Sequence, residues 1–351
     1  MSFEQRVKRN RVFILGAGFS AGAGIPLTEE LLQSSLKLFS AECPEIFSRV
    51  ENYAKESSGD HLNALDYSKV KFSELCTYLE YVELQEHGGG ERFCENGSKE
   101  KLALRFFLAK SIVNSTPQKA CIPQLYLDFA AQLHADDIVL SLNWDGLLEV
   151  ALNAVGKAYT YNFNNPDAIK LRKLHGSVNW RLGNGIKWRG SADMLAWESL
   201  RFTESMMTQE IYQTPELLNI NAWHGFQPLG EVDPFLVLPG FGKAYDVRAN
   251  AALWYKPGLA FVTTHDVYVI GVGLAHDDFF VRSFFLANLP CISGYTGLAG
   301  RQVYIINPDC KVRKNYSFLH GLDSVTIIKK KFSSEHVALM KQRIDDPPCN
   351  K

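Results

Sequence analysis

Residues Phe13 to Pro26 read FILGAGFSAGAGIP, with four glycines in nine positions directly behind a short apolar run. Glycine loses the most conformational freedom on folding, so such a cluster marks a bend or a surface that another group approaches closely. Arg11-Val12-Phe13-Ile14-Leu15 ends at Gly16 and has the apolar, β-branched character of a buried strand. Leu31, Leu32, Leu36 and Phe39 then recur at helical spacing, so a helix follows the loop. Strand, glycine loop and helix open an α/β unit, which restricts the rest of the chain to folds built on a sheet with crossover helices.

The chain interrupts that pattern and then resumes it. Between about 43 and 114 the spacing of Phe72, Leu75, Cys76, Leu79 and Val82 marks one helix face, and Leu102 to Ile112 reads as another helix. Gly88 to Glu100 reads as a loop, so the whole stretch is expected to be a helical insertion or subdomain. Helical character returns at Pro123–Leu133 and strands at Ile138–Ser141, Leu171–Leu174, Val267–Ile270 and Val303–Ile306. Residues 181–232 form an irregular insertion, and the acidic tail 341–351 is expected to fray. These strands are nearly continuous apolar runs, which suits a Rossmann-like, doubly wound parallel sheet covered on both faces. Ligands of such sheets sit at the carboxyl ends of the strands, where the glycine loop, Asn143, His175, Gly271 and Asn307 all fall.

Composition narrows the function. A net charge of −1 over 351 residues gives no electrostatic footprint for nucleic acid. Cysteines at 43, 76, 94, 121, 291, 310 and 349 form no CxxC pair, so no zinc or redox motif is expected, and their scatter reads as reduced cytoplasmic thiols. No apolar stretch reaches the ~20 residues of a membrane span. The run Gly16-Ala17-Gly18-Phe19-Ser20-Ala21 fits the loose dinucleotide pattern G-x-G-x-x-[G/A], in which backbone N–H groups and a helix N-terminus face a pyrophosphate. A hydride-transferring enzyme of that kind carries an acidic residue about 20 positions on, at a strand end. Glu42 and Glu45 are near that position but follow no strand, which weighs against a dehydrogenase.

With Ser20 and Gly24-Ile25-Pro26 included, the loop resembles the sirtuin signature GAG-x-S followed by GIP. Three more stretches match in order: Ser141-Leu142-Asn143-Trp144-Asp145 resembles the N-x-D motif, Leu174-His175-Gly176-Ser177 the LHG motif, and Gly271-Val272-Gly273 with Ile306-Asn307 the late nucleotide-binding segments. The paired cysteines of the zinc-dependent deacylases are missing, and Leu27-Thr28-Glu29 stands where they carry D-F-R. The chain therefore resembles the sirtuin-like (silent-information-regulator-two-like), zinc-free NADase family of bacterial antiphage defence, which implies residues 1–340 as one NAD-binding catalytic domain. That resemblance implies NAD+ as substrate without a metal. It also implies a homo-oligomer or a separately encoded sensor or motor partner.

The resemblance makes His175 the general base, since imidazole titrates near working pH. It gives Asn143 the role of orienting a ribose hydroxyl or water, against the alternative that it caps the helix beginning near Asp145. Asp145 is expected either at the nicotinamide amide or in a first helical turn, and Ser20 at a phosphate or at a helix cap. Gly16, Ala17, Gly18, Ile25, Pro26, Gly271, Gly273 and Asn307 complete the expected NAD-binding set. Phe241, Lys243 and Trp254 are further pocket candidates, and His276-Asp277-Asp278 reads as a helix cap before a metal site. The implied reaction cleaves the nicotinamide–ribose bond to ADP-ribose or its cyclic form. A protein deacylase and a non-catalytic NAD or ADP-ribose sensor are the alternatives.

Overall fold

The computed structural model describes residues 10–58, 64–84, 93–94, 97–161, 165–182, 211–213, 234–241, 243, 254, 261, 264–274, 278–289, 302–319 and 324–345. The chain runs through β1 (Arg11–Leu15), α1 (Ala17–Ser20), α2 (Thr28–Glu42), α3 (Pro44–Ser58), α4 (Phe72–Leu84), β2 (Phe93–Cys94), β3 (Gly97–Ser98), α5 (Lys99–Ser115), α6 (Gln124–Gln132), β4 (Ile138–Ser141) and α7 (Leu147–Ala154). It continues through β5 (Tyr159–Thr160), β6 (Ile169–Lys173), β7 (Gly176–Leu182), β8 (Ile211–Gln213), β9 (Pro234–Leu236), β10 (Asp266–Ile270), α8 (Phe279–Asn288), β11 (Gln302–Ile306), α9 (Val312–Asn315), β12 (Val325–Ile328) and α10 (Ser334–Asp345).

Seven strands make one parallel sheet in the order β12-β11-β10-β1-β4-β6-β5. Every residue of β1 and β10 is buried, as the continuous apolar runs predict for a sheet covered on both faces. From β1 the chain lays β4, β5 and β6 to one side, then returns to place β10, β11 and β12 on the other. The topological switch point therefore lies between β1 and β10, and a crevice opens beyond their carboxyl ends. Register brings the ends into line: Leu15 pairs with Ser141 and Ile270, Ser141 with Lys173, and Ile270 with Ile306. Asn143, His175, Gly271 and Asn307 thus share one edge with the glycine loop.

A second core lies beside the sheet's own. Leu31, Leu32, Leu36 and Phe39 of α2 pack with apolar residues of α3, α4 and α5, and with Val178, Leu236 and Leu238. The helical body therefore begins at Thr28 rather than near Cys43, because helical spacing reveals an apolar face but not what covers it. It rests on a three-stranded antiparallel sheet, β8-β7-β9, whose central strand starts directly after His175. The expected loop at 88–100 contains the small β2–β3 pair. Of the expected irregular insertion at 181–232, only 181–182 and 211–213 fall among the described residues, as strand. Of the expected tail, 341–345 continue the helix α10 to Asp345, with Met340 buried and Arg343 donating to Asp266 at 3.0 Å, and 346–351 lie outside the described residues.

At the switch point the chain is backbone against backbone. Gly271 has φ +67°, and a Cβ there would stand 2.2 Å from the Phe19 nitrogen. A Cβ on Gly16 would stand 2.6 Å from the Gly271 oxygen, and one on Gly18 2.8 Å from the Gly271 Cα. Gly16 N donates to Ile270 O at 2.9 Å and Gly18 N to Gly271 O at 3.0 Å. Three glycines interlock there. Gly271→Ala adds left-handed strain of about 1–2 kcal/mol to that clash, so urea unfolding should show a loss above about 3 kcal/mol. Gly273→Ala, with nothing within 4 Å of its Cβ, should stay within about 0.5 kcal/mol.

Candidate active site

Over the strand ends lies a cavity of about 1440 Å³. Gly16, Ala17, Ser20, Ile25 and Pro26 line it from the glycine loop, Asn143, Asp145 and His175 from the ends of β4 and β6, and Gly271 and Gly273 from the end of β10. The helical body supplies the facing wall through Thr28 and Glu29 of α2 and Phe72, Thr77, Tyr78 and Tyr81 of α4. Two expected residues stand apart from the lining. Gly18 is spent on the contact with Gly271, and Asn307 is spent on backbone: its Nδ2 donates to Val272 O and its Oδ1 accepts from Asp309 N, both at 2.9 Å. Phe241 and Lys243 line the cavity, whereas Trp254 lies outside the lining with its ring 5.8 Å from that of His175.

The loop itself differs from the expected anion cradle. The helix after Gly16 is only four residues long, so its macrodipole offers an anion little. The amides of Gly16, Gly18 and Phe19 are already bonded to Ile270 O, Gly271 O and Gly16 O. Packing at the switch point therefore explains the glycines without a ligand. A third glycine has a similar cause: a Cβ on Gly22 would stand 2.7 Å from the Tyr126 hydroxyl, which donates to Phe19 O at 2.8 Å.

Asn143 fastens this loop to β4. Its Nδ2 donates to Gly16 O at 2.9 Å and to Ser20 Oγ at 3.1 Å. The capping alternative fails for both residues. Helix α7 starts at Leu147, whose amide is taken by Asp145 Oδ1 at 3.0 Å, and Ser20 makes no side-chain cap. With both amide hydrogens of Asn143 committed to the loop, its Oδ1 is left for the cavity. Asp278 does cap α8, accepting from Val281 N at 3.1 Å, and its other oxygen receives Lys243 Nζ at 2.6 Å. His276 and Asp277 lie outside the described residues.

His175 is buried, and its Nδ1 lies 3.1 Å from Leu142 O. A carbonyl only accepts, so Nδ1 carries the proton and Nε2 carries the lone pair. Among the described residues that Nε2 has no hydrogen-bond partner. Burial first, and the Lys243 ammonium second, hold the imidazole well below its usual 6.5, against the opposing bond to Leu142. The imidazole is therefore neutral, with an unpartnered nitrogen on a side chain that lines the cavity, and a neutral imidazole has the lone pair that a general base needs. Its main chain is fixed from two sides, since Trp144 Nε1 and Val237 N donate to His175 O at 3.0 and 2.8 Å.

Trp144 and Tyr126 were not singled out from sequence. Trp144 lies inside the matched Asn143–Asp145 stretch, which is the signal that marks it. Tyr126 sits 107 positions from its partner in a helix with no motif. Among the described residues no group of three His, Cys, Asp or Glu is placed to hold a metal ion, and no helix is long and apolar enough to cross a membrane.

No protein-family model matches this chain, and no curated protein does. Among solved structures it is similar to a mutant Sir2 homologue in complex with ADP ribose, at 15% identity over 97% of this chain and 93% of that one, with a TM-score of 0.41. A sirtuin solved for the basis of its substrate affinity shares 14% identity over 98% of each chain, with a TM-score of 0.39. A Sir2 with a p53 peptide and NAD+ shares 16% identity over 98% and 97%, with a TM-score of 0.35. What the site does rests on its own geometry.

Because folded His175 is held neutral, its contribution to stability is complete above the unfolded value of 6.5 and is lost as pH falls through it. Urea unfolding between about pH 7 and about pH 5 should therefore weaken the wild type more than His175→Gln. Equal slopes would contradict the buried neutral imidazole.

Proposed function

We propose that the chain binds NAD+ in this cavity and cleaves the bond between nicotinamide and its ribose. The observation that carries this reading is His175 Nε2: an unpartnered, unprotonated nitrogen on a side chain that lines a cavity at the switch point of a doubly wound sheet. The pyridinium leaves as neutral nicotinamide and takes the bonding electron pair with it, so no strong acid is required. Water adds its oxygen to the ribose carbon, and its proton passes to His175 Nε2. The sum is NAD+ plus water giving nicotinamide, ADP-ribose and a proton. Asn143 Oδ1 orients the water or a ribose hydroxyl, and Asp145 accepts from the nicotinamide carboxamide. In cyclisation the substrate's own adenine nitrogen takes the place of water.

The ordered sirtuin-like motifs, together with the absence of CxxC pairs, support the zinc-free NADase branch over the zinc-dependent deacylases. On that basis the chain acts as a cytoplasmic effector of antiviral defence. It depletes NAD+ once self-assembly or a separately encoded sensor activates it. One observation favours a second reading. A cavity of about 1440 Å³ exceeds the ~300–1,000 Å³ of ordinary small-molecule sites, which leaves room for an acyl-lysine peptide beside NAD+.

Incubation of the purified protein with NAD+ should release nicotinamide, and His175→Ala should lower that release by about 10²–10⁴-fold while remaining folded. Asn143→Ala should lower it as well, with loss of the loop's fastening. O-acyl-ADP-ribose formed from an acyl-lysine peptide would establish the deacylase instead. Binding of NAD+ without turnover in every assembly state would leave a sensor.

A further inference from the structure

Four polar side chains lie behind the cavity wall and outside its lining: Lys173 at the end of β6, Glu149 on α7, Tyr161 after β5 and Asn179 on β7. Their exposures are 1%, 4%, 7% and 4%. Lys173 Nζ stands 3.3 Å from Glu149 Oε1 and donates to the backbone oxygen of Asp145. The Tyr161 hydroxyl donates to the same Glu149 oxygen at 3.1 Å, and Asn179 Nδ2 donates to that hydroxyl at 3.0 Å. Burial first, and Glu149 second, keep the Tyr161 phenol protonated well above 10 and therefore a donor.

A buried ion pair is a poor way to stabilise a core, since apolar residues of similar volume commonly do as well. This one sits where several site-bearing segments converge. Lys173 lies two residues before His175, Glu149 on the helix that follows Asp145, and Asn179 on the strand that follows His175. Its hydrogen bond to the cavity wall is the one from Lys173 Nζ to Asp145 O. From the other side Trp144 Nε1 donates to His175 O at 3.0 Å, and Val178 N donates to Trp144 O at 3.0 Å.

We infer that Lys173 is a positioning residue: its ammonium, held by Glu149, fixes the Asn143–Asp145 turn against the segment that carries His175. Its effect on turnover rests on the NAD+-cleavage reading; its effect on geometry does not. Lys173→Met removes the donor and leaves Glu149 as an unpaired buried charge. In Lys173→Met/Glu149→Met the charge is gone but Asp145 O still lacks its donor. Glu149→Gln keeps the donor and an acceptor.

The test follows melting temperature, the Trp144 indole N–H resonance, and kcat and KM for nicotinamide release in all three variants. Lys173→Met should melt lower and displace the resonance. The double variant should recover part of the melting loss and keep the resonance displaced. Glu149→Gln should leave the resonance near its wild-type position. In the two variants lacking Lys173, kcat should fall by on the order of 10²-fold, with KM moving less. A wild-type Trp144 resonance in either variant lacking Lys173 overturns the inference. So does a displacement in Glu149→Gln as large as in Lys173→Met. If Lys173→Met does not fold, the other two variants decide. If the wild type releases no nicotinamide, the functional reading fails while the indole resonance still decides the positioning role.

Discussion

Gly16 and Gly18 meet Gly271 at van der Waals limits, and the placement of everything around the cavity follows from that contact. It occurs where β1 and β10 end together, with the first and second halves of the sheet on either side. Only two backbones without side chains can come so close, so the loop after β1 and the turn after β10 are held in one arrangement. Asn143 then attaches the β4 end to the same loop, and Asn307 attaches the β11 end to the same turn. The two asparagines are related in role, each using its amide group to join a strand end to the switch point.

The second constraint is electrostatic. Burying an imidazole disfavours its charged form, and the Lys243 ammonium adds to that effect. The Leu142 carbonyl decides which nitrogen keeps the proton. Loop and histidine thus define each other: Leu142 orients the ring, and Trp144 returns a bond to the His175 carbonyl. The outcome is a neutral imidazole whose tautomer is set by the fold itself.

The sheet was legible from particular residues. The apolar runs at Phe13, Val139, Leu171, Val267 and Val303 each lie in strands with every neighbour in register. Strand ends were therefore legible too, and with them the positions of Asn143, His175, Gly271 and Asn307. Strand β12, with Thr326 exposed and its other residues half-buried, carries no sequence signal as strong, because an edge strand interrupts the continuous apolar run. Helix α2 was seen, but its partner was not, since periodicity cannot tell a sheet face from another helix. The glycines illustrate a different limit. Their spacing is shared by a phosphate cradle and a backbone contact, and only the position of Gly271, some 250 residues away, separates the two. Tyr126 and Lys173 act through partners distant in sequence, and no local pattern marks them.

On the proposed reading the cavity takes NAD+ with its reacting ribose at His175. A crystal structure with ADP-ribose soaked into the protein tests it most directly. The ligand should lie between the glycine loop and the Asn143–Asp145 turn, with a ribose hydroxyl or a water within hydrogen-bond reach of Nε2. A ligand bound elsewhere, or a His175 ring turned so that Nε2 faces the protein interior, would contradict it.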